Sequence, residues 1–137
     1  MQCCPYLAFD GQCADAFALY QKVFGGEIPF KLTFGETPMA AQCAPEARDR
    51  IAHMRLQAGD LQLMGSDSPP GQFRQPQGFN VAVAPATVAE AERIFNGLAE
   101  GGTVIMPGQK TFWAAYFGMV TDRFGTPWMI NCEAAQT

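Results

Sequence analysis

Histidine is almost missing from this chain: His53 is the only one among 137 residues. A single imidazole excludes histidine-rich metal centres, which need several convergent nitrogen or oxygen donors. Basic residues are few as well, nine Lys and Arg scattered against 13 Asp and Glu, for a net charge of −4. Neutralising a phosphate backbone needs clustered cations, so no nucleic-acid partner is expected. No apolar run approaches the roughly 20 residues that span a bilayer, and Met1-Gln2-Cys3-Cys4-Pro5 has neither the basic start nor the apolar core of a signal peptide. The expected location is the cytoplasm, with no membrane partner. Cysteine pairing motifs are absent too: Cys3, Cys4, Cys13, Cys43 and Cys132 are odd in number, irregularly spaced and without a Cys-x-x-Cys. They read as reduced thiols, because neither a disulfide framework nor a zinc cluster fits that spacing. Cys3 and Cys4, as strand neighbours, point to opposite faces and cannot readily share an ion.

What the chain does have is a repeat. A helix-like stretch running into a double glycine and then a strand, Ala14-Asp15-Ala16-Phe17 to Phe24-Gly25-Gly26-Glu27-Ile28-Pro29, recurs as Ala89-Glu90-Ala91 to Glu100-Gly101-Gly102-Thr103-Val104-Ile105-Met106-Pro107. The offset of about 75 residues implies two copies of one βαβββ-like unit. Each half is too small to bury a good core alone, whereas a chain of this length buries roughly 65–70% of its unfolded surface. The expectation is one domain: unit one over 1–67, a linker over 68–78 and unit two over 79–137, with a cleft between the halves.

The pattern places a strand at Cys4–Phe9, a helix at Cys13–Phe24 with Phe17, Tyr20 and Phe24 on one stripe and Ala16, Leu19 and Val23 beside it, and a strand at Glu27–Gly35. An irregular loop, Glu36–Asp49, leads to the hairpin Ile51–Gln57 and Leu61–Ser66 around the turn Gly59-Asp60. Asp67 to Gly78, with Pro69, Pro70, Gly71, Pro76 and Gly78, reads as the linker. The pattern then restarts with a strand at Phe79–Val83 and a capping box Thr87-Val88-Ala89-Glu90. That box opens a helix that buries Val88, Ala91, Ile94, Phe95 and Leu98 and stops at Gly101-Gly102. Strands follow at Thr103–Met106, Ala115–Thr121 and Pro127–Cys132, the last two joined by Asp122-Arg123-Phe124-Gly125. The class is α+β with mixed pairing.

These features carry a resemblance. The duplication, the segment Leu19-Tyr20-Gln21-Lys22-Val23-Phe24-Gly25-Gly26 and the ending Phe117-Gly118-Met119-Val120-Thr121-Asp122-Arg123-Phe124-Gly125-Thr126-Pro127-Trp128 resemble the vicinal-oxygen-chelate superfamily of glyoxalase I, bleomycin-resistance and extradiol-dioxygenase proteins. Ile51-Ala52-His53, Leu63-Met64-Gly65-Ser66-Asp67 and Phe112-Trp113 resemble its PhnB-like branch. The resemblance implies two tandem βαβββ units forming an open, U-shaped eight-stranded mixed sheet with two main helices. It also implies a homodimer, and a cup that holds metal and substrate in the metal-dependent members.

In those members the ligands are His, Gln or Glu on the first and last strands of each unit, and the matching positions here are Pro5, Met64, Asn80 and Met129. Proline has no side-chain donor, thioethers suit copper(I), and one asparagine cannot hold an ion. A one-residue slip brings in Phe79 or Ile130 and a two-residue slip Gln62. No metal and no other cofactor is therefore expected. If those four positions face inward, alternation adds Leu7, Gln62, Ser66, Ala82, Pro127 and Asn131 to a methionine-rich, weakly polar lining, suited to an uncharged ligand with an aromatic or aliphatic body. The same residues could instead simply fill a core.

His53 is the one side chain that titrates near neutrality, and hence the catalytic candidate. Its alternative is a half-buried imidazole bonded to backbone or to a dimer partner. Glu27, Glu36, Asp60 and Asp67 sit at strand starts, loops and turns, where solvation is the default. Phe112, Trp113, Tyr116 and Phe117 form an aromatic cluster after the Gln109-Lys110 loop. Trp113 and Tyr116 are expected nearest the ligand, as a lid or clamp, and the alternative is packing in a core or interface. Arg123 reads as surface, and Asp122 as the stabiliser of its own turn. Three functions stay open: a metal-free small-molecule binder, an isomerase or lyase working through His53 or unusual metal ligands, and an interaction subunit with a filled cleft.

Overall fold

The duplication is plain in the computed structural model, which describes residues 1–133. Unit 1 contains β1 (Tyr6–Phe9), α1 (Cys13–Phe24), β2 (Glu27–Thr33), β3 (Ile51–Ala58) and β4 (Leu61–Asp67). Unit 2 contains β5 (Val81–Val83), α2 (Val88–Ala99), β6 (Thr103–Gln109), β7 (Ala114–Thr121) and β8 (Pro127–Glu133). The eight strands form two four-stranded sheets of the same order, β1-β4-β3-β2 and β5-β8-β7-β6. In each, the first strand pairs in parallel and the others antiparallel. The sheets are open, and their α+β class is the expected one. The chain divides into compact units between Arg74 and Gln75.

Helix α1 forms because its apolar residues recur at helical spacing. Cys13, Ala16, Phe17, Leu19, Tyr20 and Val23 are all buried. Phe17 lies on Gly65 of β4, where a Cβ would come within 2.8 Å of the ring. Helix α2 repeats the arrangement with Ala91, Ile94, Phe95 and Leu98 buried, and Phe95 lies on Gly118 of β7. Each fully buried large apolar side chain contributes about 1.5–3 kcal/mol. The double glycines now have a cause. Gly25 and Gly101 take φ of 78° and 74° after their helices, while a Cβ on Gly26 or Gly102 would come within 2.2 Å of Gln57 O or 2.4 Å of Thr121 O. The second glycine of each pair thus lets the chain turn against the backbone of the sheet.

Several expectations shift. Strand β1 starts at Tyr6 and β5 at Val81, later than expected, and β6 runs on through Pro107 to Gln109. Proline is tolerated there because β6 is an edge strand with a break in register between Met106 and Gln109. The 36–49 loop is three short 3-10 turns, Phe34–Glu36, Ala40–Gln42 and Pro45–Ala47. Val88 is 38% exposed, since the first helical residue overhangs the sheet. Thr87 supplies the cap, its hydroxyl accepting from Glu90 N at 3.1 Å.

The largest correction concerns Asp67. It ends β4 rather than opening a solvated linker, is 3% exposed, and accepts from the N–H groups of Gly11, Cys13 and Ile51 at 2.8–2.9 Å. Two of those groups sit at the start of α1, whose own N-cap residue, Gln12, makes no side-chain cap bond. A carboxylate from a distant strand therefore satisfies the helix terminus and complements its dipole.

Candidate functional site

Strand alternation gives each sheet a face against its helix and an opposite face that no helix of its unit covers. In unit 1 the two-residue turn fixes the hairpin register, pairing Arg55 with Met64 and Gln57 with Gln62. Directly paired residues point the same way. Met64, Gln62 and Ser66 on β4 are all half-buried and alternate with buried Leu63, Gly65 and Asp67. On β3, Arg55 and His53 join the same open face, and β2 adds Phe30 and Leu32 through the pairs Phe30–Arg55 and Leu32–His53. From β1, Tyr6 stands opposite Met64 and Ala8 opposite Ser66.

That pairing corrects the reading of the first strand. Leu7 pairs with Gly65 and is 3% exposed, so it belongs to the helix side and not to the lining. Pro5 precedes the strand, and its carbonyl accepts from Met64 N at 3.1 Å. The open-face residues of β1 are Tyr6 and Ala8, one position away from those expected.

His53 occupies the middle of an aromatic cluster. Its ring stacks on Tyr6 at 5.6 Å between centroids and tilts against Phe30 at 5.4 Å. Tyr6 Oη and His53 Nδ1 share a hydrogen bond at 3.0 Å. The imidazole is half-buried, as one expectation had it, but its partner is a side chain of its own unit. No carboxylate orients it among the described residues.

Arg55 is the residue that the sequence reading missed. It is half-buried, its Nε is buried with no hydrogen-bond partner, and none of its nitrogens makes an ion pair with a described residue. Arg50 behaves differently, bonding Asp10 Oδ1 and Ser68 O, each at 2.9 Å. A buried donor left unpaired costs about 1–3 kcal/mol, and more when charged. The signal was available: Gly59-Asp60 fixes the register, and Arg55 lies two residues from His53.

In unit 2 the corresponding face carries Met129 and Asn131 on β8, Met119 and Phe117 on β7, and Ala82 on β5. Trp113 meets Phe117 edge-on at 5.3 Å and Phe112 at 4.7 Å, held in a loop where Thr111 Oγ1 accepts from Ala114 N at 3.1 Å. Asn131 Oδ1 is buried without a partner among the described residues. Asn80 lies exposed ahead of β5. Tyr116 is on the other side of the sheet from Met129 and Asn131, in a T-shaped contact with Phe95 at 6.2 Å. Burial, with Glu92 nearby, pushes its hydroxyl pKa up. The structure thus brings His53, Gln62, Met64 and Ser66 together on one face, and Met129, Asn131 and Trp113 on another, and separates Tyr116 from them. Arg123 is exposed beside the Phe124 ring. Asp122 accepts from Phe124 N, Thr126 N and Trp128 Nε1 at 2.8–3.1 Å, which adds a side-chain clamp to its expected turn role.

The divalent metal of the superfamily does not fit these residues. Among the described residues no three His, Cys, Asp or Glu side chains converge, and Pro5, Met64, Asn80 and Met129 offer no imidazole or carboxylate. A separate hollow of about 340 Å³ in unit 1, lined by Phe34, Cys43, Ala47 and Pro70 among others, holds none of the candidate residues. No described helix is long and apolar enough to cross a membrane.

The family model of 3-demethylubiquinone-9 3-methyltransferase matches residues 1–131. Protein YjdN of Escherichia coli (strain K12) is 40% identical over 140 residues, covering 96% of this chain and 95% of that one. The crystal structure of protein PA1353 from Pseudomonas aeruginosa is 46% identical with a TM-score of 0.90, over 97% of this chain and 98% of that one. A PhnB protein from Bacillus cereus, also described as a putative 3-demethylubiquinone-9 3-methyltransferase, shares the fold at 22% identity. Its TM-score is 0.80, over 96% of this chain and 99% of that one. By sequence, this chain belongs to the 3-demethylubiquinone-9 3-methyltransferase family.

Proposed function

We propose that this chain is a small-molecule-binding protein that receives its ligand on the open sheet faces, without the divalent metal used by the metal-dependent members of its superfamily. One observation carries the reading. Tyr6, His53, Gln62, Met64 and Ser66 come from three strands of unit 1 onto one helix-free face, where aromatic and thioether surface alternates with hydrogen-bonding groups. That mixture suits an aromatic or aliphatic body with a few polar substituents. The unit 2 face, with Met129, Asn131 and Trp113, offers the same kind of surface.

The family description names a methyltransferase of demethylubiquinone. The Gly-x-Gly-x-x-Gly turn that cradles nucleotides in doubly wound folds does not occur in this sequence, and the proposal is one of binding. A second reading, an isomerase or lyase, is favoured by the Tyr6–His53 pair at 3.0 Å. A neutral His53 that donates from Nδ1 to Tyr6 keeps the lone pair of a base on Nε2, and one that accepts from Tyr6 keeps a proton there to give.

A second copy of the chain belongs to the same proposal. Edge strand β6 exposes Val104, Ile105 and Met106 at 46%, 60% and 37%, an unpaired apolar edge of the kind that association covers. The five cysteines are free, which suits the cytoplasm.

The test is elemental analysis of the tag-free protein together with ligand-detected backbone NMR. Substoichiometric metal, and ligand shifts gathered on Tyr6, His53, Gln62 and Met64, are the expected results. One equivalent of metal per chain with metal-dependent stabilisation overturns the metal-free reading, and shifts lying elsewhere overturn the site.

A further inference from the structure

Arg55 stands in the middle of the open face of unit 1, opposite Met64 on one neighbouring strand and Phe30 on the other. Two residues away along its own strand are His53 and Gln57. None of these neighbours carries a carboxylate. The buried acid of the unit, Asp67, faces the helix side with its oxygens engaged by three backbone N–H groups. Asp10 is taken by Arg50. Arg55 therefore holds a permanent positive charge, since a guanidinium does not give up its proton in a protein, with a buried Nε–H that no described residue accepts.

Buried polar groups are nearly always hydrogen-bonded, and an exception calls for an explanation. Nε–H and the neighbouring Nη–H form the side of the guanidinium that takes an oxyanion through two parallel bonds. The same face carries the mutually packed rings of Tyr6, His53 and Phe30, with Phe30 opposite Arg55 in the ladder.

We propose that Arg55 is the anion receptor of this face, and that the ligand is an organic carboxylate whose planar apolar body lies against the Tyr6–His53–Phe30 cluster. This rests on the small-molecule reading above and narrows it from a weakly polar ligand to an acid.

The test compares benzoate with its uncharged isostere benzamide at millimolar concentration, by NMR of the wild-type protein and of Arg55→Gln. Arginine Nε–H signals resolve apart from the backbone, and the Arg55 signal is identified by its loss in the variant. The expected result is a benzoate-dependent shift of that signal with no such shift from benzamide, and about a tenfold or greater loss of benzoate affinity in Arg55→Gln. Arg55→Lys, which keeps the charge and loses the fork, should fall between. Thermal unfolding without ligand gives a separate readout, because removing an unpaired buried charge should leave Tm unchanged or raise it. A fall in Tm would assign Arg55 a structural role and overturn the proposal. Equal binding of benzamide and benzoate, or unchanged benzoate affinity in Arg55→Gln, overturns the anion receptor while leaving the face as a binding site. Binding of neither compound overturns both.

Discussion

The two units share a chain path and differ on their open faces. On the helix side they repeat each other: a phenylalanine of each helix lies on a strand glycine, and each double glycine turns the chain against the sheet backbone. On the open side, unit 1 presents His53, Arg55, Gln62 and Ser66 with one unsatisfied donor. Unit 2 presents Met119, Met129, Phe117 and Asn131 with one unsatisfied acceptor. Packing constrains the first side, where volume and backbone approach decide stability. The open side is free to differ, so differences between the copies mark where binding can reside.

The helix starts differ too, and that difference can be broken by mutation. Asp67→Ala leaves the N–H groups of Gly11, Cys13 and Ile51 without their acceptor, and urea unfolding should show a loss of about 3–4 kcal/mol. Hydrogen exchange should place the first opening at the start of α1. Gly26→Ala ranks next, at about 2–3 kcal/mol, because φ is 84° and the new Cβ meets Gln57 O. Gly25→Ala has only its φ of 78° to overcome, with nothing within 4 Å, and should cost about 1 kcal/mol. A Gly25 variant as costly as the Gly26 variant would refute the close-approach account.

Thr87→Ala should lower stability by about 1 kcal/mol, while Gln12→Ala should change it by less than about half that, since only Thr87 makes a side-chain cap bond. Equal effects would show that the helices are capped alike. The smallest effect is a pH dependence. Burial, then the charge of Asp67, push the Cys13 thiol pKa above its ordinary value of 9.0. The folded state therefore holds this proton more tightly than the unfolded state, so the contribution is full below about pH 9 and is lost as pH rises beyond it. Cys13→Ala should flatten that alkaline slope, and exposed Cys3 should alkylate long before Cys13 does.

Much of this architecture was legible in the sequence. Helical spacing from Cys13 to Phe24 and the Gly-Gly stops identified both helices, and Gly59-Asp60 located the first hairpin, because those signals are local. The site was legible in part. Gln62, Met64 and Ser66 share a face, as two-residue alternation requires, and the hairpin pairing adds His53 to it, but the expected phase of β1 is one residue out, which puts Leu7 inside and passes over Tyr6. A parallel strand has no turn to its partner that could fix its register. Tyr116 differs for a related reason: it pairs with Cys132 and shares the helix side with Gly118 and Val120, a phase that the aromatic run around it does not reveal.

The sequence by itself determined the repeat, the elements and the poverty of metal ligands, all of which follow from residue type and short-range spacing. Only the tertiary structure decided that Asp67 caps a helix 54 residues away from it, that Tyr6 bonds His53 across 47 residues, and that Arg55 Nε finds no partner among the described residues. Partnership between side chains depends on which strands lie side by side and in what phase. That is settled when the sheet assembles, not along the chain.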